Sequence, residues 1–196
     1  MEAFMPSRRT LLFAGAGSLV LALAPLPALA ARHSQSSARP PRRVPSSYVA
    51  AARAHGVPPV LLFAVALQES QQLWRTATGR TLLPWPWTLN IAGTPARFAT
   101  RVACQKVLDD TLARGQKTVD IGLMQVCWRY HGQRFARPAA ALEPLTNLDA
   151  GAAILAEHYR ERGSWRRAVA LYHSATPARG DAYAVQVFAH LRGLDA

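Results

Sequence analysis

The thirteen residues Pro58–Ser70 (PPVLLFAVALQES) constrain this chain more than any other stretch. Two prolines open the segment, every position from Val60 to Leu67 is apolar, and Gln68, Glu69 and Ser70 close it. Such a run predicts a short helix that is apolar on every side, so the rest of the chain must enclose it. Glu69 is the only Asp or Glu between Ala3 and Leu108. On a helix it shares a face with Leu62, Val65 and Ala66, which turns it toward packed side chains. Desolvation raises a carboxyl pKa, and a carboxyl still protonated near neutral pH can serve as a general acid. The bland alternative is a helix-end Glu that reaches water or pairs with a cation such as Arg75. The stretch by itself leaves both open.

The 196 residues, half of them hydrophobic, amount to one domain with enough apolar side chains for a core. Met1–Ala30 reads as an export signal. Arg8 and Arg9 precede an apolar run from Leu11 to Ala24, and Ala28-Leu29-Ala30 offers a cleavage pattern. The order Ser7-Arg8-Arg9-Thr10-Leu11-Leu12 resembles a twin-arginine signal, and an ordinary secretory signal fits as well. The run is shorter than the roughly 20 apolar residues of a spanning helix, so no stable membrane span is expected after cleavage, and the expected location is the periplasm. Residues 31–45, rich in Ser, Arg and Pro, read as a disordered basic linker, with the folded domain expected over 46–193.

Beyond Ala30 the chain carries 21 basic and 10 acidic residues, a net charge of +11, which calls for an anionic partner. Nucleic acid is set aside, because an exported protein meets little of it and the arginines are dispersed rather than clustered. An acidic polymer such as cell wall suits the address better. In an oxidising compartment Cys104 and Cys127 are expected to form a disulfide, with two buried thiols as the alternative. The six histidines form no His-Glu-x-x-His or similar pattern, so neither metal nor cofactor is expected.

In chain order, Ser46 or Ser47 can cap a helix through Ala54 that Gly56 closes, and the apolar helix follows. From Gln72 to Gly93, threonines interleave with Trp74, Trp85 and Trp87 while Gly79, Pro84 and Pro86 break any helix, which predicts a short irregular hairpin or loop. Trp in such a loop can stack on a sugar or pack on the core, and core is expected for at least one of the three. Thr94-Pro95 reads as a helix start running to about Arg114. Asn147 or Thr146 reads as the cap of a helix to about Arg162, followed by helices over Trp165–Tyr172 and Gly180–Leu191, the last with Tyr183, Val187 and Leu191 inward. The fold class expected is mainly α.

Four pieces of this sequence, taken together, resemble the soluble lytic transglycosylase family of the lysozyme superfamily, which cleaves peptidoglycan. Ala66-Leu67-Gln68-Glu69-Ser70 is similar to its Glu-Ser motif, and Asp120-Ile121-Gly122-Leu123-Met124-Gln125 to its Gly-Leu-Met-Gln motif. Asn147-Leu148-Asp149-Ala150-Gly151 is similar to its Asn-Leu-x-x-Gly helix start, and Ala170-Leu171-Tyr172-His173-Ser174 stands in the place of its Ala-Tyr-Asn motif. Order and spacing agree over roughly Ser46 to Gly193. The resemblance implies a lysozyme-like helical domain in which Glu69 is the one catalytic acid and peptidoglycan glycan strands are the substrate. It implies that Ser70 contacts substrate, that Gly122 lets backbone approach the sugar, that Met124 and Gln125 line the cleft, and that Tyr172 orients the Glu69 carboxyl.

Two departures stand out: His173 where many relatives have Asn, and Cys127 where Asn is frequent. His173 can still donate a hydrogen bond to an acetamido group. The Pro84–Asn90 loop and the Tyr172-His173-Ser174 variant resemble the branch found with conjugation machinery and integrating elements, which implies envelope-spanning conjugation or secretion proteins as partners. Two rival readings remain: a lysozyme-like hydrolase with Asp120 as its second carboxylate, and an idle wall-binding scaffold in which Glu69 is merely buried.

Overall fold

A computed structural model describes residues 42–77 and 79–195 of the chain. The leader read at Met1–Ala30 and the linker up to residue 41 lie outside the described residues. What is described is mainly α with short antiparallel strands, as the sequence predicts.

Helix α1 (Ser46–Ala54) leads into α2 (Pro59–Ser70), whose first residue is the proline expected at a helix start. Every residue of α2 from Leu61 to Leu67 is buried. The helix runs through the centre of the core, with α1 on one side and α7 (Pro177–His190) on another. No single described helix is long and apolar enough to cross a membrane, and α1 and α2 meet at a bend of 113°.

Strands β2 (Gln71–Thr76) and β3 (Gly79–Pro84) follow directly as an antiparallel hairpin, in register from Gln71↔Pro84 to Thr76↔Gly79. A second sheet is built from β4 (Thr88–Ile91), β5 (Thr94–Arg97), β6 (Val119–Ile121) and β7 (Val126–Cys127), in the order β5-β4-β6-β7, all antiparallel. Between β5 and β6 lies α3 (Arg101–Ala113), whose Thr100 cap accepts from the Ala103 N–H. After β7 come α4 (Trp128–His131) and two short 3-10 turns, then α5 (Pro144–Arg162), α6 (Trp165–His173) and α7. The left-handed Gly163 (φ 64°) ends α5, a conformation that glycine adopts without steric cost.

Several boundaries differ from the sequence reading. The segment from Thr94 does not start a helix. Thr94–Arg97 pairs with β4 as an edge strand, where a proline without an N–H is tolerated, and the helix begins seven residues later at Arg101. Helix α5 starts at Pro144, so Asn147 lies inside it and is no cap. The folded body also reaches past 46–193 at both ends, because β1 (Arg42–Arg43) pairs in parallel with β8 (Leu194–Asp195) and Val44 is buried. The last residues assigned to the linker are therefore structured.

The three tryptophans form one cluster, Trp74 to Trp85 at 5.0 Å and Trp85 to Trp87 at 4.9 Å between ring centroids, with Trp87 against the core and the Trp85 indole donating to the Phe98 carbonyl. The expected disulfide is absent, and both cysteines are free. Cys104 is fully buried on α3, where burial pushes its thiol up to about 12. Cys127 faces Asp120 across the β6–β7 pair and gives its S–H to that carboxylate, so its sulfur is turned toward a partner other than Cys104.

Candidate active site

Glu69 occupies the last turn of α2, where the apolar helix gives way to β2. Its carboxyl is half-buried, and Oε1 accepts a 2.5 Å hydrogen bond from the Tyr183 hydroxyl on α7. Burial raises the Glu69 pKa to about 7. The Tyr183 hydrogen bond opposes that rise, and the charge of Asp120 adds to it. At neutral pH a large share of Glu69 is therefore protonated. Tyr183, pushed well above the usual phenol range by burial first and by Glu69 second, stays a neutral donor.

The β6–β7 connection, Gly122 to Gln125, is tied to the end of α2 by Ser70, and its backbone is clamped from three helices. From α2, the fully buried Ser70 hydroxyl lies 2.8 Å from Leu123 O and 3.1 Å from Ala66 O. From α5, Asn147 accepts from the Met124 N–H at 2.8 Å and donates to Ile121 O at 2.9 Å and Ala141 O at 3.0 Å. From α6, the Tyr172 hydroxyl donates to Met124 O at 2.7 Å. Gly122 (φ 81°) presses on the Asn147 side chain so closely that a Cβ there would sit 2.7 Å from Asn147 Cγ. Gln125, itself at φ 45°, donates its amide N–H to Thr88 O at 3.1 Å and Gly122 O at 2.9 Å.

These contacts revise several roles expected from the sequence. Tyr172 holds the loop and Tyr183 holds the carboxyl, although the part-buried Tyr172 is near enough for Glu69 to help raise its pKa. Ser70 and Met124 are completely enclosed and do not line the cleft; the Met124 side chain packs on the bare face of Gly151. The missing Cβ of Gly122 makes room for the Asn147 side chain. Gln125 secures the loop through backbone partners. Ser70, Asn147, Tyr172 and Gln125 nevertheless converge on one loop, which the Ser70 hydroxyl ties to the end of α2 next to Glu69.

The open side of the site is a cavity of about 350 Å³ lined by Gln68, Glu69, His173, Arg179, Ala182, Tyr183 and Gln186. His173 reaches it by stacking on the Tyr183 ring, 4.4 Å between centroids and nearly parallel. Burial lowers the His173 pKa, with Asp120 opposing and Arg179 reinforcing that direction, so the imidazole is neutral near pH 7. Gln68 donates to Gln186 at 2.8 Å and lies 3.0 Å from His190, which extends a polar wall away from Glu69. Three larger cavities lie elsewhere among the described residues. One of about 410 Å³ between α1 and α5 includes Glu157, already paired with Arg134 at 2.5 Å, whereas one of about 730 Å³ beside the β2–β3 hairpin and one of about 440 Å³ against α1 have no carboxylate in their linings. The smaller cavity has the chemistry.

Asp120, half-buried on β6, is raised above the usual carboxylate range by burial, while the Cys127 thiol and His173 pull it back. Sequence reasoning missed Tyr183 and Asn147 as parts of the site. The inward spacing of Tyr183 on its helix was the available signal for the first, and nothing local distinguishes a buried clamp from a cap for the second.

A family model described as Transglycosylase SLT domain matches residues 47–184 of the chain. No curated protein and no solved structure matches it.

Proposed function

Because the chain belongs to the transglycosylase SLT domain family, whose lysozyme-like members act on peptidoglycan, we propose that Glu69 cleaves the bond between N-acetylmuramic acid and N-acetylglucosamine, first as acid and then as base. The observation that carries this reading is a carboxyl held at about pKa 7 by burial, open to a cavity and fixed by Tyr183. The neutral Glu69 carboxyl gives its proton to the glycosidic oxygen, and the C1–O bond breaks with its electron pair leaving on that oxygen. The substrate's own acetamido carbonyl meets the positive charge at C1. The Glu69 carboxylate then takes the proton of the muramic C6 hydroxyl, whose oxygen closes on C1 to give an anhydro end. No second carboxylate and no water is consumed.

Each neighbour has a part in this scheme. Tyr183 keeps the carboxyl aimed, and its hydrogen bond strengthens once Glu69 is ionised. His173 offers a neutral ring N–H to an acetamido or hydroxyl group. Ser70, Asn147, Tyr172 and Gln125 fix the loop tied to the end of α2 and act as positioning residues. The export-signal pattern and the positive net charge support action outside the cytoplasm, in the periplasm, and the resemblance of the Pro84–Asn90 loop and of Tyr172-His173-Ser174 to the conjugation-associated branch supports local wall opening that serves a conjugation or secretion apparatus.

The pH profile tests the acid. Activity requires Glu69 protonated at the outset, so kcat/KM is expected to fall about tenfold per pH unit above the Glu69 pKa of about 7. In Tyr183→Phe the carboxylate loses the hydrogen bond that lowers its pKa, so this limb should move to higher pH while the plateau drops, by roughly tenfold for one charge-assisted hydrogen bond. A limb near pH 4.5 in the wild type, or one that Tyr183→Phe leaves in place, contradicts the assignment.

A further inference from the structure

Glu69, Tyr183 and the loop clamps account for the acid and its support, but they leave one residue of the cavity unexplained. Arg179 lines the same cavity as Glu69 from the first turn of α7. It is exposed there, and among the described residues no carboxylate lies within ion-pair distance of it. Of the cavity's lining residues it alone carries a fixed positive charge, since the lining otherwise consists of two glutamines, an alanine, Tyr183, neutral His173 and Glu69.

The charge of Arg179 is felt at His173, whose ring stacks on Tyr183 at the same cavity. A cation without a protein counter-ion in a binding cavity suits a ligand that brings its own anion. The sugar on one side of the bond to be cut supplies one: muramic acid carries a lactyl arm that ends in a carboxylate, either free or amide-linked to a peptide bearing further carboxylates.

We propose that Arg179 is a specificity-determining residue that binds a carboxylate on the lactyl arm of the muramic acid being cleaved, an inference that rests on peptidoglycan being the substrate of the Glu69 site. The planar fork of the guanidinium can take such a carboxylate through two parallel hydrogen bonds, which a lysine cannot reproduce. Neutral glycans lacking the arm bind without this contact and are the poorer substrates.

The test uses the full chain as wild type, Arg179→Gln, Arg179→Lys and, as a control that removes an exposed charge on α6, Arg166→Gln. Each is assayed on three walls: native, carboxyl-amidated with carbodiimide and methylamine, and stripped of peptide by an amidase that frees the lactyl carboxylate. Release of anhydro ends gives kcat and KM, and co-sedimentation gives binding without cleavage. Amidation is expected to raise the wild-type KM about three- to tenfold with little change in kcat. Arg179→Gln should show that raised KM already on native wall and lose nothing more on amidation, with Arg179→Lys in between and Arg166→Gln like the wild type. Dependence on Arg179 that survives peptide stripping marks the lactyl carboxylate as the group bound, and dependence that vanishes marks a peptide carboxylate. If Arg179→Gln suffers from amidation as much as the wild type, the proposal is overturned and the transglycosylase reading stands. If no wall yields anhydro ends while co-sedimentation still depends on Arg179 and on free carboxylates, the transglycosylase reading fails and the carboxylate site stands.

Discussion

Glu69→Gln will fold, keep its place at the end of α2 and lose at least about a thousandfold in wall cleavage, the scale of a missing general acid that also serves as the base. It will also be more stable than the wild type at alkaline pH. Glu69 has a folded pKa of about 7 against an ordinary 4.5, so the folded protein binds the proton more tightly than the unfolded chain does. Its contribution is complete below about pH 4.5, declines as pH rises through 7 and is gone above. A shift of this size corresponds to at most about 3 kcal/mol, and the partial exposure of the carboxyl reduces it. The amide of the Glu69→Gln variant does not titrate, and Tyr183 can still donate to its oxygen. Urea unfolding of both proteins at about pH 4 and about pH 8.5, outside the window between the unfolded and folded pKa values, should therefore show a gap that opens at the higher pH. A variant that keeps full activity points to a different acid.

That cost is tolerable because of the helix that imposes it. Leu61, Leu62, Phe63, Val65 and Leu67 are nearly or fully enclosed, and burial of side chains this size is worth about 1.5 to 3 kcal/mol each. The α2 core thus outweighs the penalty at its own end, and the same greasy surroundings raise the carboxyl pKa. Stability and catalysis are coupled through one helix.

Asn147→Ala will be the most damaging substitution away from the carboxyl. Asn147 is 1% exposed and joins the Met124 N–H, Ile121 O and Ala141 O. Truncation leaves three buried backbone groups without that partner and opens a void beneath Gly122, at a cost of about 3 to 5 kcal/mol, a large part of the stability of a typical domain. Because the same loop receives Ser70 and Tyr172, activity should fall even at temperatures where the variant is folded. Chemical denaturation together with kcat below the unfolding transition separates the two losses. A shift under about 1 kcal/mol would show that the clamp is dispensable.

Much of this was legible in the sequence. An eight-residue apolar run behind two prolines leaves few options, and the one carboxylate in over a hundred residues identified itself. Motif order located the loop at Gly122–Gln125 and the helices that flank it. What could not be read was which polar atom meets which. Tyr172 and Tyr183 both lie on inward helix faces, and only the relative placement of α6 and α7 decides that the first reaches Met124 O and the second Glu69. Asn147 looks like a cap because capping residues and buried clamps have the same composition; a proline start three residues earlier changes its place. Thr94-Pro95 carries the signal of a helix start, yet pairing with β4 overrides it. The two cysteines satisfy the parity expected of a disulfide, but parity has no direction, and Cys127 points to Asp120.

The most direct measurement of the central claim is mass spectrometry of the fragments that the protein releases from purified wall in oxygen-18 water. A single carboxyl acting first as acid and then as base predicts anhydro-muramic ends free of the label. Reducing ends that carry the label would contradict it and bring Asp120 forward as the second carboxylate of a hydrolase, and a chain that releases no fragments would be a scaffold.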